Sequence, residues 1–254
     1  MTITKKFIAA LGATTAALAL SVSAQAATIA IVQGSFYTTD LKNQLIAAGQ
    51  TVTEITTYTA ATLAGFDTVI QYGNNFVDQA ALTTFANAGG NVIWTPWAGV
   101  NFAFDPALQV RTNGGGTVYS ESSIGMTVLA AGDPLLSGVA FPAAGAVNVG
   151  RITGTTFVAG ATQVANWTDG AALVGYKAVG MGNVIDINLH VITSDTAYQV
   201  INQPWATQLF VNAANLGVNG AVPESSTWMM MIVGFGAAGA ALRNGRRKTT
   251  VTYA

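Results

Sequence analysis

Short apolar runs rich in β-branched residues alternate with helical patterns over the first part of the chain. Residues 28–32 form one such run, and residues 39–48 then carry apolar side chains at helical spacing. The alternation continues with strand patterns at residues 51–57, 68–72 and 91–95, and with a helix from an Asp78 cap to Asn87. Repeated strand and helix predict a mainly parallel, flavodoxin-like α/β sheet with helices on both faces.

The pattern changes after about one hundred residues. Residues 102–132 are rich in Gly, Ser and Thr, which predicts a loop region with one hairpin. Strand patterns then cover residues 156–159, 163–167, 172–177 and 183–189. The turn Thr168-Asp169-Gly170 predicts a hairpin, and a final helix is expected over residues 195–216, broken near Pro204. Residues 27–216 are therefore predicted to form one α/β domain with a β-rich C-terminal half.

The first 26 residues have the three parts of a secretory signal peptide. Two lysines precede an apolar stretch over residues 7–20, and Ala24-Gln25-Ala26 provides the small residues that a signal peptidase reads. We expect cleavage between Ala26 and Ala27. Signal peptidase is therefore a predicted partner, and the body is predicted to be exported across the inner membrane.

The end of the chain has the pattern of a short transmembrane helix. An uncharged apolar run covers residues 228–242, and a basic tail follows at residues 243–254. The run makes about 22 Å of helix, whereas a hydrocarbon core is about 30 Å thick. Trp228 at one boundary and cations at the other are usual membrane anchors, with the cations in the cytoplasm. The body is therefore predicted to lie outside.

A tripeptide in the neck at residues 217–227 adds a second signal. Pro223, Glu224 and Ser225 precede Trp228, and a Gly-Phe-Gly pattern and terminal arginines follow. This order resembles the PEP-CTERM sorting signal, although Ser225 replaces the second proline of its Pro-Glu-Pro. The resemblance implies that an exosortase cuts near the tripeptide and releases a transiently anchored body to the cell surface or the exopolysaccharide matrix. Without that enzyme, the same tail would leave a permanently anchored protein.

Three stretches of the body carry a further resemblance. Residues 85–93 contain a helix end, Gly-Gly and a strand, residues 133–139 read Asp-Pro-Leu-Leu-Ser-Gly-Val, and residues 180–190 run from Gly-Met-Gly-Asn-Val to His190. In this order they resemble motifs of the class I glutamine amidotransferase-like fold, in its trehalose-utilisation (ThuA-like) branch. Asn183 stands where that branch has arginine. The resemblance implies the same fold.

Composition and charge exclude several classes of function. Charged residues make up 8% of the chain and hydrophobic residues 51%, which indicates a globular body. Between Ala27 and Val222 the sequence has four basic and ten acidic residues, which gives a net charge of −6. A body with this charge has no basic surface that would bind nucleic acid. The sequence has no cysteine, which excludes disulfides, thiolate nucleophiles and Cys-ligated metals. No cofactor is predicted.

The candidate ligand site lies at the carboxyl ends of the strands, where open α/β sheets bind their ligands. That edge is predicted to carry Tyr37, Tyr72, Asn74, Trp97 and His190. Aromatic faces cover the CH patches of a sugar, and amides bond its hydroxyls. The alternative is that these residues are core aromatics and loop asparagines.

Candidate catalytic residues are few. Amidotransferase chemistry needs a cysteine paired with histidine. His190 is the one histidine of the sequence, which excludes a metal site built from two histidines, and a lone histidine at a strand end is more often structural. If the protein is an enzyme, His190 with Asp186 or Asp105 is the predicted pair.

Two hypotheses about function remain. The first hypothesis is a non-catalytic surface or matrix protein that binds carbohydrate or other envelope components. The second is a secreted hydrolase or sugar-modifying enzyme.

Overall fold

The computed structural model describes residues 26–32, 38–57, 59–72, 78–96, 105–190 and 199–217. The strands in these ranges are β1 (Thr28–Val32), β2 (Thr51–Ile55), β3 (Thr68–Gln71), β4 (Asn91–Trp94), β5 (Gly116–Glu121), β6 (Met126–Val128), β7 (Val149–Thr153), β8 (Thr162–Trp167), β9 (Ala172–Val179) and β10 (Gly182–Ile187). The helices are α1 (Thr38–Ala47), α2 (Ala60–Leu63), α3 (Gln79–Asn87) and α4 (Pro204–Ala214), with 3-10 turns at Pro134–Leu136 and Gln199–Asn202.

Eight of the strands form one mixed sheet in the order β2-β1-β3-β4-β10-β9-β8-β6. The first five strands in this order are parallel, and the last three pair antiparallel. β3 and β4 are buried at every position, as central parallel strands covered on both faces are, and each has Val-Ile at its centre. The predicted mixed α/β fold with a mainly parallel sheet is confirmed.

Helices cover both faces of this sheet and close two apolar cores. On one face, α1 and α4 pack on the sheet through Leu41, Leu45 and Phe210. On the other, α2 and α3 pack through Leu63 and Leu82. Successive strand residues point to opposite faces, so the parallel strands β1, β3, β4 and β10 contribute to both cores.

Local sequence signals placed several elements correctly. Asp78 is the N-cap of α3, and its Oδ1 accepts the backbone N–H of Ala81 at 3.0 Å. Such a cap satisfies one of the free N–H groups in the first turn of a helix. The predicted turn at Thr168-Asp169-Gly170 joins β8 to β9 as an antiparallel hairpin, with Gly170 at φ 89°.

Two predictions for the second half were wrong. In the described part of the predicted hairpin region, residues 105–132, no two segments pair with each other, because β5 pairs with β7 in a separate two-stranded sheet and β6 pairs with β8. Residues 156–159 are not a strand, and Phe157 makes a single antiparallel bridge to Arg111. In each case the true partner is distant in sequence, so local pattern could not identify it.

The last helix is shorter than predicted. α4 begins at Pro204, after the 3-10 turn, because proline lacks the N–H that a helix interior needs and fits its first turn. Residues 195–198 of the predicted helix lie outside the described residues. The single turn of α2 was not predicted, since four residues are too few for a periodic pattern.

Side chains at the amino edge of the sheet hold the C-terminal end of α4. Thr68 Oγ1 donates to the Ala214 carbonyl at 2.7 Å, and Asn91 Nδ2 donates to the Leu216 carbonyl at 2.7 Å. Asn183 Nδ2 donates to Asn91 Oδ1 at 3.1 Å. We call Thr68, Asn91 and Asn183 the amino-edge lock. It satisfies carbonyls that have no partner within a helix end, and it gives Asn183 a structural role.

The turn between β9 and β10 packs against the end of α3 with no room for a side chain at Gly182. A Cβ atom there would lie 2.1 Å from the Gly90 carbonyl oxygen and 2.6 Å from that of Ala86. Gly182→Ala is therefore expected to lower the free energy of unfolding by about 2–3 kcal/mol, as overpacking against backbone does. Gly65→Ala is the control, because a Cβ there meets open space. Urea denaturation of both variants measures the difference, and equal midpoints would contradict the prediction.

The predicted terminal segments lie mostly outside the described residues, including Ala24, Pro223, Glu224, Ser225 and residues 228–242. Within the described ranges, no helix has the length and apolarity needed to cross a bilayer. At the predicted cleavage site, Ala27 is buried, and its backbone N–H donates to Gln50 Oε1 at 3.0 Å. Cleavage between Ala26 and Ala27 would therefore have to precede folding.

Candidate functional site

The carboxyl ends of β1, β3, β4 and β10 lie along one edge of the sheet because these strands are parallel. The described part of this carboxyl edge is polar yet buried. Among the described residues, buried polar side chains at this edge, each at most 4% exposed, include Gln71, Tyr72, Thr95, Asp186, Asn188 and His190. Burying polar groups costs free energy unless they are partnered, so their partners determine what the edge can do.

A buried ion pair joins this edge to the segment that precedes β5. Arg111 Nε donates to Asp186 Oδ1 at 2.7 Å, and Arg111 Nη2 donates to the Pro96 carbonyl at 3.3 Å. Both side chains of the pair are about 5% exposed. Burial raises the pKa of the Asp186 carboxyl, and the Arg111 guanidinium opposes that shift. The pair is internally neutral when both groups are ionised.

His190 follows β10 and packs closely on β7. Its backbone N–H donates to the Gly150 carbonyl at 2.9 Å, and a Cβ at residue 150 would lie 2.7 Å from the ring atom Cδ2. Glycine at that position is therefore what admits the ring. Burial lowers the pKa of His190 to about 4, and repulsion from Arg111 contributes to that shift. The imidazole is neutral at pH 7.

The two carboxylates predicted as partners of His190 have other bonds. Asp186 Oδ1 accepts from Arg111, as described above. Asp105 lies beside α3, where its Oδ1 accepts the backbone N–H of Ala107 at 2.8 Å and its Oδ2 accepts from Thr83 Oγ1 at 3.4 Å. A general base works best with a pKa near the operating pH. A histidine with a pKa of about 4 is a weak base by that measure.

Asn188 has a structural role between β10 and its neighbours. Its Nδ2 donates to the Ile152 carbonyl at 2.9 Å and to the Ala172 carbonyl at 2.7 Å, and its Oδ1 accepts the Ile152 N–H at 2.9 Å. One amide thereby ties the two-stranded sheet to the main sheet. That tie also fixes the backbone that leads into His190.

The predicted ligand residues divide into two groups. Tyr72 and His190 lie at the carboxyl edge and are each 1% exposed. Tyr37, Asn74 and Trp97 lie outside the described residues. Sequence reasoning did not single out Arg111, although a rare cation beside Val110 in an acidic, apolar body is a signal for a buried carboxylate partner.

Each of the four basic residues of the body has a partner. Besides Arg111 with Asp186, the pairs are Lys42 with Glu54 at 3.3 Å, Arg151 with Glu121 at 2.9 Å and with Asp169 at 2.8 Å, and Lys177 with the Pro106 carbonyl. The Arg151 guanidinium also lies 5.4 Å from the centre of the Trp167 ring. Among the described residues, no group of three acidic or histidine side chains is placed to hold a metal ion.

Solved structures share this fold at low sequence identity. A cytoplasmic protein from Salmonella typhimurium aligns with a TM-score of 0.58 and 13% identity over 74% of this chain and 97% of its own. A GMP synthase-like protein from Thermoplasma acidophilum aligns with a TM-score of 0.53 and 11% identity, over 76% and 94%. A β-galactosidase from Rahnella aligns with a TM-score of 0.50 and 19% identity, over 75% of this chain and 31% of the enzyme.

Sequence comparison adds no assignment. No protein-family profile matches the chain, and no curated protein matches it. The low identities show a shared fold alone. The body therefore has a mixed α/β fold that is weakly similar to an amidotransferase-like protein and to one region of a β-galactosidase.

Proposed function

We propose that this protein is exported, is held briefly at the membrane by its PEP-CTERM-like tail, and is then released to the cell surface or extracellular matrix. Its body binds a neutral carbohydrate at the carboxyl edge and does not turn it over. The partners in this proposal are signal peptidase, an exosortase-type enzyme and exopolysaccharide.

The main support for a neutral ligand is that the cation at the carboxyl edge is already paired with a carboxylate. Acidic ligands are usually held by arginine or lysine, and here Arg111, the cation at the carboxyl edge, already binds Asp186 at 2.7 Å. The body has a net charge of −6, which repels polyanions. Hydroxyl groups of a neutral sugar need hydrogen bonds and aromatic faces, and not a free charge.

The residues that could catalyse hydrolysis support the proposal that the body does not turn its ligand over. The sequence contains no cysteine. The Asp186 carboxylate accepts from Arg111, and the His190 pKa lies at about 4. The competing proposal is a hydrolase that relies on His190 and a carboxylate, and it predicts turnover that depends on His190.

Binding and turnover should be measured with the wild type and His190→Ala over neutral and acidic glycans. We expect binding without turnover in the wild type, with neutral glucans bound at least about tenfold more tightly than polyuronates at low salt. Circular dichroism of His190→Ala checks that the variant is folded. Hydrolysis by the wild type that disappears in His190→Ala would favour the enzyme, and tighter binding of polyuronates would overturn the neutral ligand.

The sorting proposal is tested by mass spectrometry of the form released from cells with an exosortase. We expect a chain that begins at Ala27, ends near Pro223 and lacks Arg247. Ser225→Pro restores the Pro-Glu-Pro tripeptide and should raise the released fraction. A released chain that retains Arg247 would contradict processing at the tripeptide.

A further inference from the structure

We propose that the tail holds the body with the amino edge of its sheet against the bilayer surface, so that the carboxyl edge faces away from the membrane. This inference rests on the proposed function, because it requires the tail to be anchored. It concerns a surface at the opposite end of the molecule from the candidate ligand site.

Both ends of the described body leave from the amino edge and are joined there. Gln50 Oε1 accepts the backbone N–H of Ala27 at 3.0 Å and Nδ2 of Asn215 at 3.2 Å. A Cβ on Gly217, the last described residue before the neck, would lie 3.2 Å from Asn183 Nδ2. The chain therefore departs toward the tail from a defined place beside β4 and β10.

The amino-edge lock fixes that point of departure. The Ala214 and Leu216 carbonyls accept from Thr68 and Asn91, which are both fully buried. The neck before Trp228 spans ten residues, 218–227, which reach at most about 35 Å when fully extended. That length limits how far Gly217 can lie from the bilayer, so the tether keeps the body close to the membrane.

The half of the amino edge that the parallel strands form carries little charge, although the body is acidic. Its turns cover residues 47–50, 64–67, 88–90, 180–182 and 215–217. Asp67 is their one charged residue, and its Oδ2 accepts both the N–H of Thr28 at 2.8 Å and the Thr28 hydroxyl at 2.6 Å. An anionic lipid surface repels acidic groups. This edge can approach such a surface at a lower electrostatic cost than the rest of the body.

Exposed apolar side chains also lie at this edge. Met181, at the tip of the turn between β9 and β10, is 79% exposed, and Ile46, in the last turn of α1, is 47% exposed. Apolar groups gain free energy when they leave water for an interfacial region. The amino edge therefore combines the chain exits, few charges and exposed apolar groups.

The test uses variants with a single introduced cysteine. Because the natural sequence has no cysteine, a thiol-reactive dye labels only the introduced residue. Ala80 and Ala88 are both exposed and lie at opposite ends of α3, near the carboxyl and amino edges respectively. Ala80→Cys and Ala88→Cys in the full chain are labelled with a donor dye and reconstituted in vesicles that carry an acceptor on lipid headgroups. The sites are about 12 Å apart along the helix. A second matched pair lies on α1, which covers the other face of the sheet: Thr39→Cys and Ala47→Cys. If the amino edge faces the membrane, both pairs show the same order of transfer, whereas a sideways tilt of the body affects the two faces differently.

We expect energy transfer to be at least about twofold more efficient from residue 88 than from residue 80, since about 12 Å separates them along the helix, and likewise from residue 47 than from residue 39. Equal transfer within both pairs, or the reverse order, would overturn the orientation while leaving the anchor intact. A full chain that does not float with vesicles would overturn the anchor in the proposed function, and this inference with it. Unfolding midpoints equal to the wild type confirm that the labelled chains are folded.

Discussion

Asp186→Asn should lower the free energy of unfolding by about 3–5 kcal/mol, because it leaves the buried Arg111 guanidinium without a compensating charge. Arg111 cannot lose its proton to escape that cost. The pair is about 5% exposed, and its short bond of 2.7 Å is the contact that repays its burial. Urea denaturation with tryptophan fluorescence gives the change.

Two companion variants make this result specific to a buried pair. Glu54→Gln removes the acidic partner of Lys42 in a partly exposed ion pair, in which Glu54 is 21% and Lys42 is 30% exposed, and should cost less than about 1 kcal/mol. The double variant Arg111→Met with Asp186→Leu should recover most of the loss, since both charges are removed together. A loss in Asp186→Asn no larger than that in Glu54→Gln would contradict the assignment of a buried pair.

The second large effect is a loss of stability on acidification that depends on His190. Its pKa is about 4 in the folded chain and about 6.5 when unfolded, so the unfolded state binds more protons between these values. Stability contributed by the neutral imidazole is therefore full above pH 6.5 and is lost as the pH falls toward 4. The expected loss is about 2 kcal/mol between pH 7 and pH 5.

The sequence permits an unambiguous measurement because His190 is its one histidine. The free energy of unfolding is followed from pH 7 to pH 5 in the wild type and in His190→Gln, where the slope should become nearly flat. Carboxylates mostly titrate below this window, and their contribution is common to both proteins. Equal slopes would show that His190 is not held neutral by the fold. An NMR titration of the imidazole gives the folded pKa independently.

The parts of the fold that sequence predicted are those whose cause is local. A few neighbouring residues suffice to predict the Asp78 cap, the buried strand β4 and the turn at Thr168-Asp169-Gly170. The partners of β5 and β6 are β7 and β8, which are distant in sequence, and nothing in a Gly-rich segment specifies such a pairing. The length of α4 depends on Pro204, which begins the helix instead of interrupting it.

The candidate site shows the same division. His190 and Tyr72 lie at the carboxyl edge as predicted, because residues after parallel strands share that edge. Their role toward a ligand stays a prediction. The bond between Arg111 and Asp186 joins residues that are 75 positions apart in the sequence. The sequence can therefore indicate that a buried arginine needs an acidic partner, but it does not identify which residue that is. The pKa of His190 likewise depends on burial against Gly150 and on the nearby Arg111, and both are consequences of the folded structure.

The amino-edge lock would have a mechanical consequence under the proposed anchoring by the C-terminal tail. Drag on the body would pull on Gly217, and that force enters the fold where Thr68, Asn91 and Asn183 bind the end of α4 and its neighbouring amide. These residues belong to β3, β4 and β10, the central strands of the sheet. Force on the tether thus enters the central strands, and α4 could peel away only after the bonds to the Leu216 and Ala214 carbonyls had broken.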